Sequence, residues 1–332
     1  MIRGRGVEPF IVGALIARWC RGGGTRITVA AQLETAVGQP GLLRPSFHRF
    51  HAEIGLAPGD LDRAGAVAAP LTHCSAGIVL PFEPFGLVRN GVEFHQHWLR
   101  ARNIGEPSDL SAYSPSFAMA RFTRGMSCKD AMQMPFETGL LVDPSRYAAL
   151  LEARLLAYGG TVEVADTDSD ADLIFDCSPG DSAVRWTGNR IAIGSPYSIP
   201  GVAFHVCLEG ARRWLALSAK TDESEAEERE FNRLSRAEAD RIADMEDLLF
   251  AADPASTTRP ALARKIAVFN ACGRIPNEDY EVFAQHEWLA ALLARGFLPA
   301  RHDRLADAMP EGDLLDWLAM LRRKLAPQGM AA

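Results

Sequence analysis

The apolar positions of this chain change their period several times along its length. Phe10-Ile11-Val12 is a short continuous apolar run ending at Gly13, which reads as a buried strand. Ala14 to Cys20 carries helical spacing, Gly22-Gly23-Gly24 interrupts it, and Arg26 to Ala30 reads as a second strand. Strand, short helix and strand together predict a cramped βαβ unit in a parallel, buried sheet. Helical spacing returns from Phe47 to Leu56, and Pro58-Gly59-Asp60 breaks it before another helical piece. Residues 76–99 look strand-like, with turns at Pro81, Pro84 and Asn90-Gly91. Pro144 to Gly159 is an amphipathic helix in which proline stands near the start, Asp143 offers an N-cap and Gly159 closes the end. Thr161 to Val164 and Leu173 to Phe175 predict two further strands. Beyond Cys207 the pattern is helical, with Phe231, Leu234, Ile242, Met245 and Leu249 keeping one face apolar. Alternating strands and helices followed by helices alone predict an α/β fold: a sheet domain over residues 1–206 with a strand-rich insert around 70–135, then a helical region over 207–332.

Composition narrows the function classes. A chain of 332 residues exceeds one ordinary hydrophobic core, so one large or two intergrown domains are expected. With 48% apolar and 23% charged residues it is globular rather than disordered. A net charge of −7 without any basic stripe excludes a general nucleic-acid binder, which needs a cationic face for phosphate. No apolar stretch is long enough to cross a bilayer, and Arg18 interrupts the first apolar run, so a secretory signal is not expected. The six cysteines (20, 74, 128, 177, 207 and 272) are scattered without paired spacing. That pattern suits reduced, buried thiols and a cytoplasmic location. The acidic run from Asp222 to Glu230 reads as a solvated helix face. Arginines outnumber lysines 31 to 4, and no lysine precedes Lys129.

Short-range chemistry is sparse. His95 and His97 in FHQHW share a side if that segment is a strand, and with His73 or Asp109 could hold a metal. Hydrogen bonding or simple packing explains these histidines at less cost. Cys177, in Asp176-Cys177-Ser178, would need a paired histidine to act as a nucleophile. No GxSxG, HExxH or Walker loop occurs.

Several stretches, in order, carry a resemblance. These are VGQPGLLRPSFHRFHAEIGL (37–56), EPFGLVRNGVEFHQHWLRAR (83–102), residues 136–159, ADLIFDCSPGD (171–181), RWTGNRIAIG (185–194), LARKIAVFNACGRI (262–275), EWLAALLARGFLP (287–299) and DRLADAMP (303–310). Together they resemble the flavin-dependent tryptophan halogenases as a reduced, divergent member. The resemblance implies a Rossmann-like, FAD-binding sheet of the hydroxylase type with a helical substrate region. It implies FAD as cofactor, with Gly13, Gly38, Gln39, Gly194 and Ser195 beside it. In the family the reduced flavin reacts with oxygen, and hypohalous acid then travels to a lysine near the substrate, assisted by a glutamate.

The chain departs from that pattern at each chemical requirement. A dinucleotide loop needs GxGxxG between the first strand and its helix. After a strand at residues 10–12 only Gly13 remains, and Gly22 to Gly24 lie at the wrong end of the helix. The position of the acid that binds ribose falls on Ala31, followed by Gln32, with Glu34 three residues on. The lysine position falls on Cys74 or Ser75, beside His73. The segment SPYSIPGVAFHV (195–206) has no carboxylate, Glu209 being the nearest, and a block that the family inserts between Asp181 and Arg185 is missing. These losses predict a non-halogenating binding or partner protein for a small aromatic molecule or a protein companion, forming a homo- or hetero-oligomer. The other reading is an active flavin-dependent halogenase or monooxygenase that uses loosely bound FAD on a tryptophan- or indole-like substrate.

Overall fold

The computed structural model describes every residue except 33–39, 75–76, 107, 123–125, 132–135, 164–170, 179–183, 195–196, 219–224 and 327–332. In chain order the elements are β1 (Ile2–Arg5), α1 (Glu8–Trp19), β2 (Thr28–Gln32), β3 (Gly41–Leu43), α2 (Ser46–Glu53), α3 (Pro58–Arg63), β4 (Val67–Ala69), β5 (Leu71–His73), β6 (Val79–Pro81), α4 (Phe94–Asn103), α5 (Pro115–Phe122) and α6 (Cys128–Ala131). There follow β7 (Gly139–Val142), α7 (Pro144–Ala157), β8 (Thr161–Glu163), β9 (Ile174–Asp176), β10 (Arg185–Thr187), β11 (Arg190–Ala192), α8 (Val202–Leu217), α9 (Glu225–Phe250), α10 (Pro260–Cys272), α11 (Gln285–Ala294) and α12 (Glu311–Leu325). The chain forms two compact units. One comprises Met1–Ala68, Met126–Gln133 and Gly139–Asp240; the other comprises Ala69–Gly125, Met134–Thr138 and Arg241–Ala332.

The first unit is built on a six-stranded sheet ordered β10-β11-β9-β1-β2-β8. β1, β2, β8, β9 and β11 run parallel, and β10 closes the edge antiparallel to β11. The βαβ start is real, but it lies earlier than the hydrophobic run suggests. Phe10-Ile11-Val12 is helical, and the strand is Ile2–Arg5. The physical reason is burial on all sides: Pro9 to Ala17 are buried without a break, so α1 looks as uniformly apolar as a core strand. β1 is hard to see because arginine fills two of its four positions; Arg3 is tolerated because its guanidinium reaches Asp176. Gly13 sits inside α1, where an added Cβ would lie 2.6 Å from Val29 Cγ2. It is the close-packing point between helix and sheet.

α7 follows the sequence expectation closely. Asp143 caps it through the Arg146 N–H at 2.9 Å, and its buried Tyr147, Ala148, Leu151 and Leu155 form the core face. A small sheet β3-β7-β4 completes this unit.

Among its described residues the second unit carries one short hairpin, β5 with β6, and its other long elements are helices. Residues 94–99, the end of the stretch expected as strand, belong to the helix α4 (Phe94–Asn103). There the side chains of Phe94, Trp98 and Leu99 keep a helical period on the buried side. The core of this unit includes Phe269, Phe283, Trp288, Leu314 and Leu318, all nearly inaccessible.

Candidate functional site

In an open parallel sheet the ligand crevice lies outside the carboxyl ends of the strands, where successive connections leave in opposite directions. In this unit that place is the end of β1, flanked by β9 and β2. Four segments meet there. Gly4 and Gly6 form the turn from β1 into α1, both with positive φ (148° and 78°), a backbone conformation that glycine adopts without a steric penalty. A Cβ on Gly4 would stand 3.0 Å from the backbone carbon of Cys177. Gly194 is tighter still: a Cβ there would lie 1.9 Å from the Ser178 carbonyl oxygen. Ala31, next to the end of β2, pairs with Gly4.

The sequence therefore does hold two glycines of a dinucleotide turn, Gly4-Arg5-Gly6-Val7-Glu8-Pro9, with proline where the third glycine would fall. This corrects the expectation that only Gly13 remains. Gly13 is one turn and more into α1 and does not face the crevice entrance; it packs on Val29. The missed signal was a GxGxx pattern directly after a possible strand at the chain's start. Gly194 belongs to the same cluster as Gly4, at the end of β11 next to β9. Its tight contact with Ser178 gives it a backbone-packing role. Gly38, Gln39 and Ser195 lie outside the described residues, as do Ser75, Glu34 and Asp181.

Charge at this edge is organised around Asp176. Its carboxylate accepts from Arg3 at 3.2 Å, from Arg190 and from the Ser178 N–H at 3.0 Å. Burial pushes the Asp176 carboxyl upward, but the bonds from Ser178, Arg190 and Arg3 outweigh it and hold it below the ordinary carboxylate value. Cys177, next in line, is buried, and burial with the nearby Glu8 and Asp176 carboxylates raises its thiol well above the ordinary value. A thiol so held is protonated and inert, which removes Cys177 as a nucleophile. Behind this edge lies a network on α8. The Ser46 hydroxyl meets His205 Nδ1 at 3.3 Å, and Arg213 donates to Glu238 at 3.0 Å and to Ser235 at 2.8 Å. Burial and the surrounding Arg44, Arg212 and Arg213 lower His205 to about 3, so it is neutral at physiological pH. Glu209 is on α8, as its sequence suggested, and pairs with Arg212 at 2.7 Å.

In the second unit, Cys74 follows β5 and is buried, its N–H donating to Ile78 at 2.8 Å, while the neighbouring His73 is exposed. His95 and His97 do not form a metal pair. On a helix, residues two apart point to different sides. His95 Nε2 lies 2.7 Å from the Gly273 carbonyl, and His97 Nε2 lies 3.3 Å from that of Arg89. Among the described residues no cluster of histidine, cysteine and carboxylates is placed to hold a metal.

Comparison with known proteins gives these observations a family. The tryptophan halogenase family model matches residues 163–311. That stretch of the chain is similar in sequence to the tryptophan halogenases. Among solved structures, the flavin-dependent halogenase BrvH from Brevundimonas sp. BAL3 superposes with a TM-score of 0.79 at 20% identity, over 98% of this chain and 95% of that one. Xcc4156, a flavin-dependent halogenase from Xanthomonas campestris, gives 0.81 at 16% identity, over 98% and 94%. The tryptophan 6-halogenase SttH from Streptomyces toxytricini gives 0.73 at 12%, over 98% and 96%. No curated protein matches the chain. At these identities the structures speak for the fold, which is that of the flavin halogenases.

For a tryptophan halogenase relative, FAD is the implied cofactor, and the β1–α1 turn is where its diphosphate would lie. The residues present fit it poorly. Pro9 removes one backbone donor from the first turn of α1, and Phe10 N and Ile11 N are already turned onto the Val7 carbonyl, at 3.0 and 3.1 Å. A carboxylate, Glu8, stands in the same turn, and Ala31 offers nothing to a ribose hydroxyl.

Proposed function

We propose that this chain is a non-halogenating member of the family that acts in the cytoplasm as a binding or partner protein. Its ligand is a small aromatic molecule or a protein companion, held as a homo- or hetero-oligomer. The observation that carries this reading is where the amines are. The position at which the resemblance calls for a lysine falls on Cys74 or Ser75, and Cys74 is a buried thiol. Lys265 is sealed in the core, 1% exposed and committed to Glu281, while Lys129 and Lys324 are exposed on α6 and α12. The fourth lysine, Lys220, lies outside the described residues. An electrophilic halogen with no amine beside the substrate has no carrier, and residues 197–206 add no carboxylate to assist one. Consistent with a location in water, no helix among the described residues is long and apolar enough to cross a membrane.

The test is direct. Purified protein is expected to be colourless, and incubation with a flavin reductase, FAD, halide and either tryptophan or indole is expected to yield no halogenated product by mass spectrometry. Clear chlorination or bromination overturns the reading. A second reading, an active flavin-dependent halogenase or monooxygenase with loosely bound FAD, is favoured by the Gly4–Gly6 turn standing between β1 and α1. A stoichiometrically yellow preparation that oxidises an aromatic substrate would select it. Recovery of a fixed companion from the native host is expected under the first reading, whereas a lone monomer counts against it.

A further inference from the structure

The second glycine of a dinucleotide turn exists so that a diphosphate can approach the bare backbone. Around Gly6 that approach is already taken. A Cβ built on Gly6 would lie 2.9 Å from Glu8 Oε2, and among the described residues beyond its two chain neighbours no other comes within 4 Å of it. The open face of Gly6 is therefore covered by the chain's own carboxylate, folded back from the first turn of a 12-residue helix. This arrangement stabilises α1, because a negative charge at a helix N-terminus opposes the positive end of its dipole. It also places an anion where an incoming anion would have to sit. The donor supply points the same way: Pro9 has no N–H, and Phe10 N is spent on Val7.

We infer that Glu8 is a specificity-determining residue, an internal anion that closes the β1–α1 turn to diphosphates. The inference rests on the turn itself and deepens the reading above, since it explains how a halogenase fold retains Gly4 and Gly6 without accepting the dinucleotide. Like charges brought together at this turn repel, and the carboxylate must be displaced before phosphate oxygens reach the glycine amides. Neutralising it while keeping its shape should open the turn.

The experiment measures ADP, the half of the dinucleotide that carries no redox chemistry. Calorimetric titration of the full chain with ADP should show weak or undetectable binding. Glu8→Gln should bind it about tenfold more tightly or better, and on 15N-labelled protein the Gly4 and Gly6 amide resonances should shift on addition. Glu8→Ala should reproduce the gain, and thermal melting checks that both variants are folded. A folded Glu8→Gln variant with no gain overturns the inference. So does a gain that leaves the Gly4 and Gly6 amides unmoved, because the ligand is then elsewhere, and so does tight ADP binding by the unaltered chain. None of these results depends on halogenation, so the amine argument at Cys74 stands or falls separately.

Discussion

The two units of this protein each hold a buried charge, in different settings. In the sheet unit one set of charged groups gathers around Asp176 at the carboxyl ends of the strands. Asp176 is shared between Arg3 and Arg190, and Glu8 lies over Gly6. In the helical unit the deepest charge is in the core, where Lys265 pairs with Glu281 at 2.7 Å and lies 4.0 Å from the centre of the Trp288 ring. Glu281 also accepts from Trp288 Nε1 at 2.9 Å. The first arrangement sets an arginine-paired carboxylate beside the turn from β1 into α1. The second turns the one buried lysine among the described residues into a structural element. A charged residue type is thus no guide to chemistry by itself; what surrounds it decides whether it can react.

The largest expected effect tests the core lysine. Lys265→Ala removes one member of a buried pair and strands Glu281, so it should cost about 3–5 kcal/mol by urea denaturation. The double variant Lys265→Met with Glu281→Leu should recover most of that loss. If the single change proves mild, the pair is not what holds α10 and the segment before α11 together.

Acid should strike the sheet unit. Burial, with His48 nearby, lowers His51 to about 3, and His205 is lowered equally far. Both folded values lie below the ordinary 6.5. As pH falls, the unfolded chain therefore takes up these protons first, so stability is full above about pH 6.5 and drains away towards pH 3. Each histidine should cost on the order of 2 kcal/mol by pH 5. Hydrogen exchange in α2, α7 and α8 should accelerate accordingly, and a flat stability curve between pH 7 and 5 would contradict this burial.

Gly13→Ala sharpens the distinction between packing and binding glycines. The new methyl would meet Val29 at 2.6 Å and should cost about 1–3 kcal/mol of stability while leaving ADP titrations of the Glu8→Gln background unchanged. A changed affinity without a change in stability would return Gly13 to the cofactor site. The smallest effect expected is from Tyr147→Phe, which removes the 2.7 Å hydrogen bond to His51 Nε2 and should cost about 1 kcal/mol in a thermal melt.

Much of the scaffold can be read without coordinates. The α/β class, the helix Pro144–Ala157 with its Asp143 cap, β2, and the short strands near residues 161 and 174 all follow from period, proline and cap residues. These signals are local, and local signals survive in sequence. The candidate site was legible only in part. The place of Asp176 just after a strand was visible, but the glycine turn was misplaced by nine residues, from Gly4 to Gly13. A helix buried along nine consecutive residues has no polar face to reveal its period, and a strand with two arginines lacks the usual β signature.

What the sequence alone determined is composition and its exclusions: no lysine before Lys129, no carboxylate between residues 195 and 206, and a run of segments that resembles the halogenases. What only the tertiary structure decided is which groups meet. It carries Arg3 to an aspartate 173 residues away, folds Glu8 over Gly6, sets His95 and His97 on different sides of a helix, and seals Lys265 against an indole. Such pairings arise from packing between elements distant in the chain, where neither period nor propensity carries information.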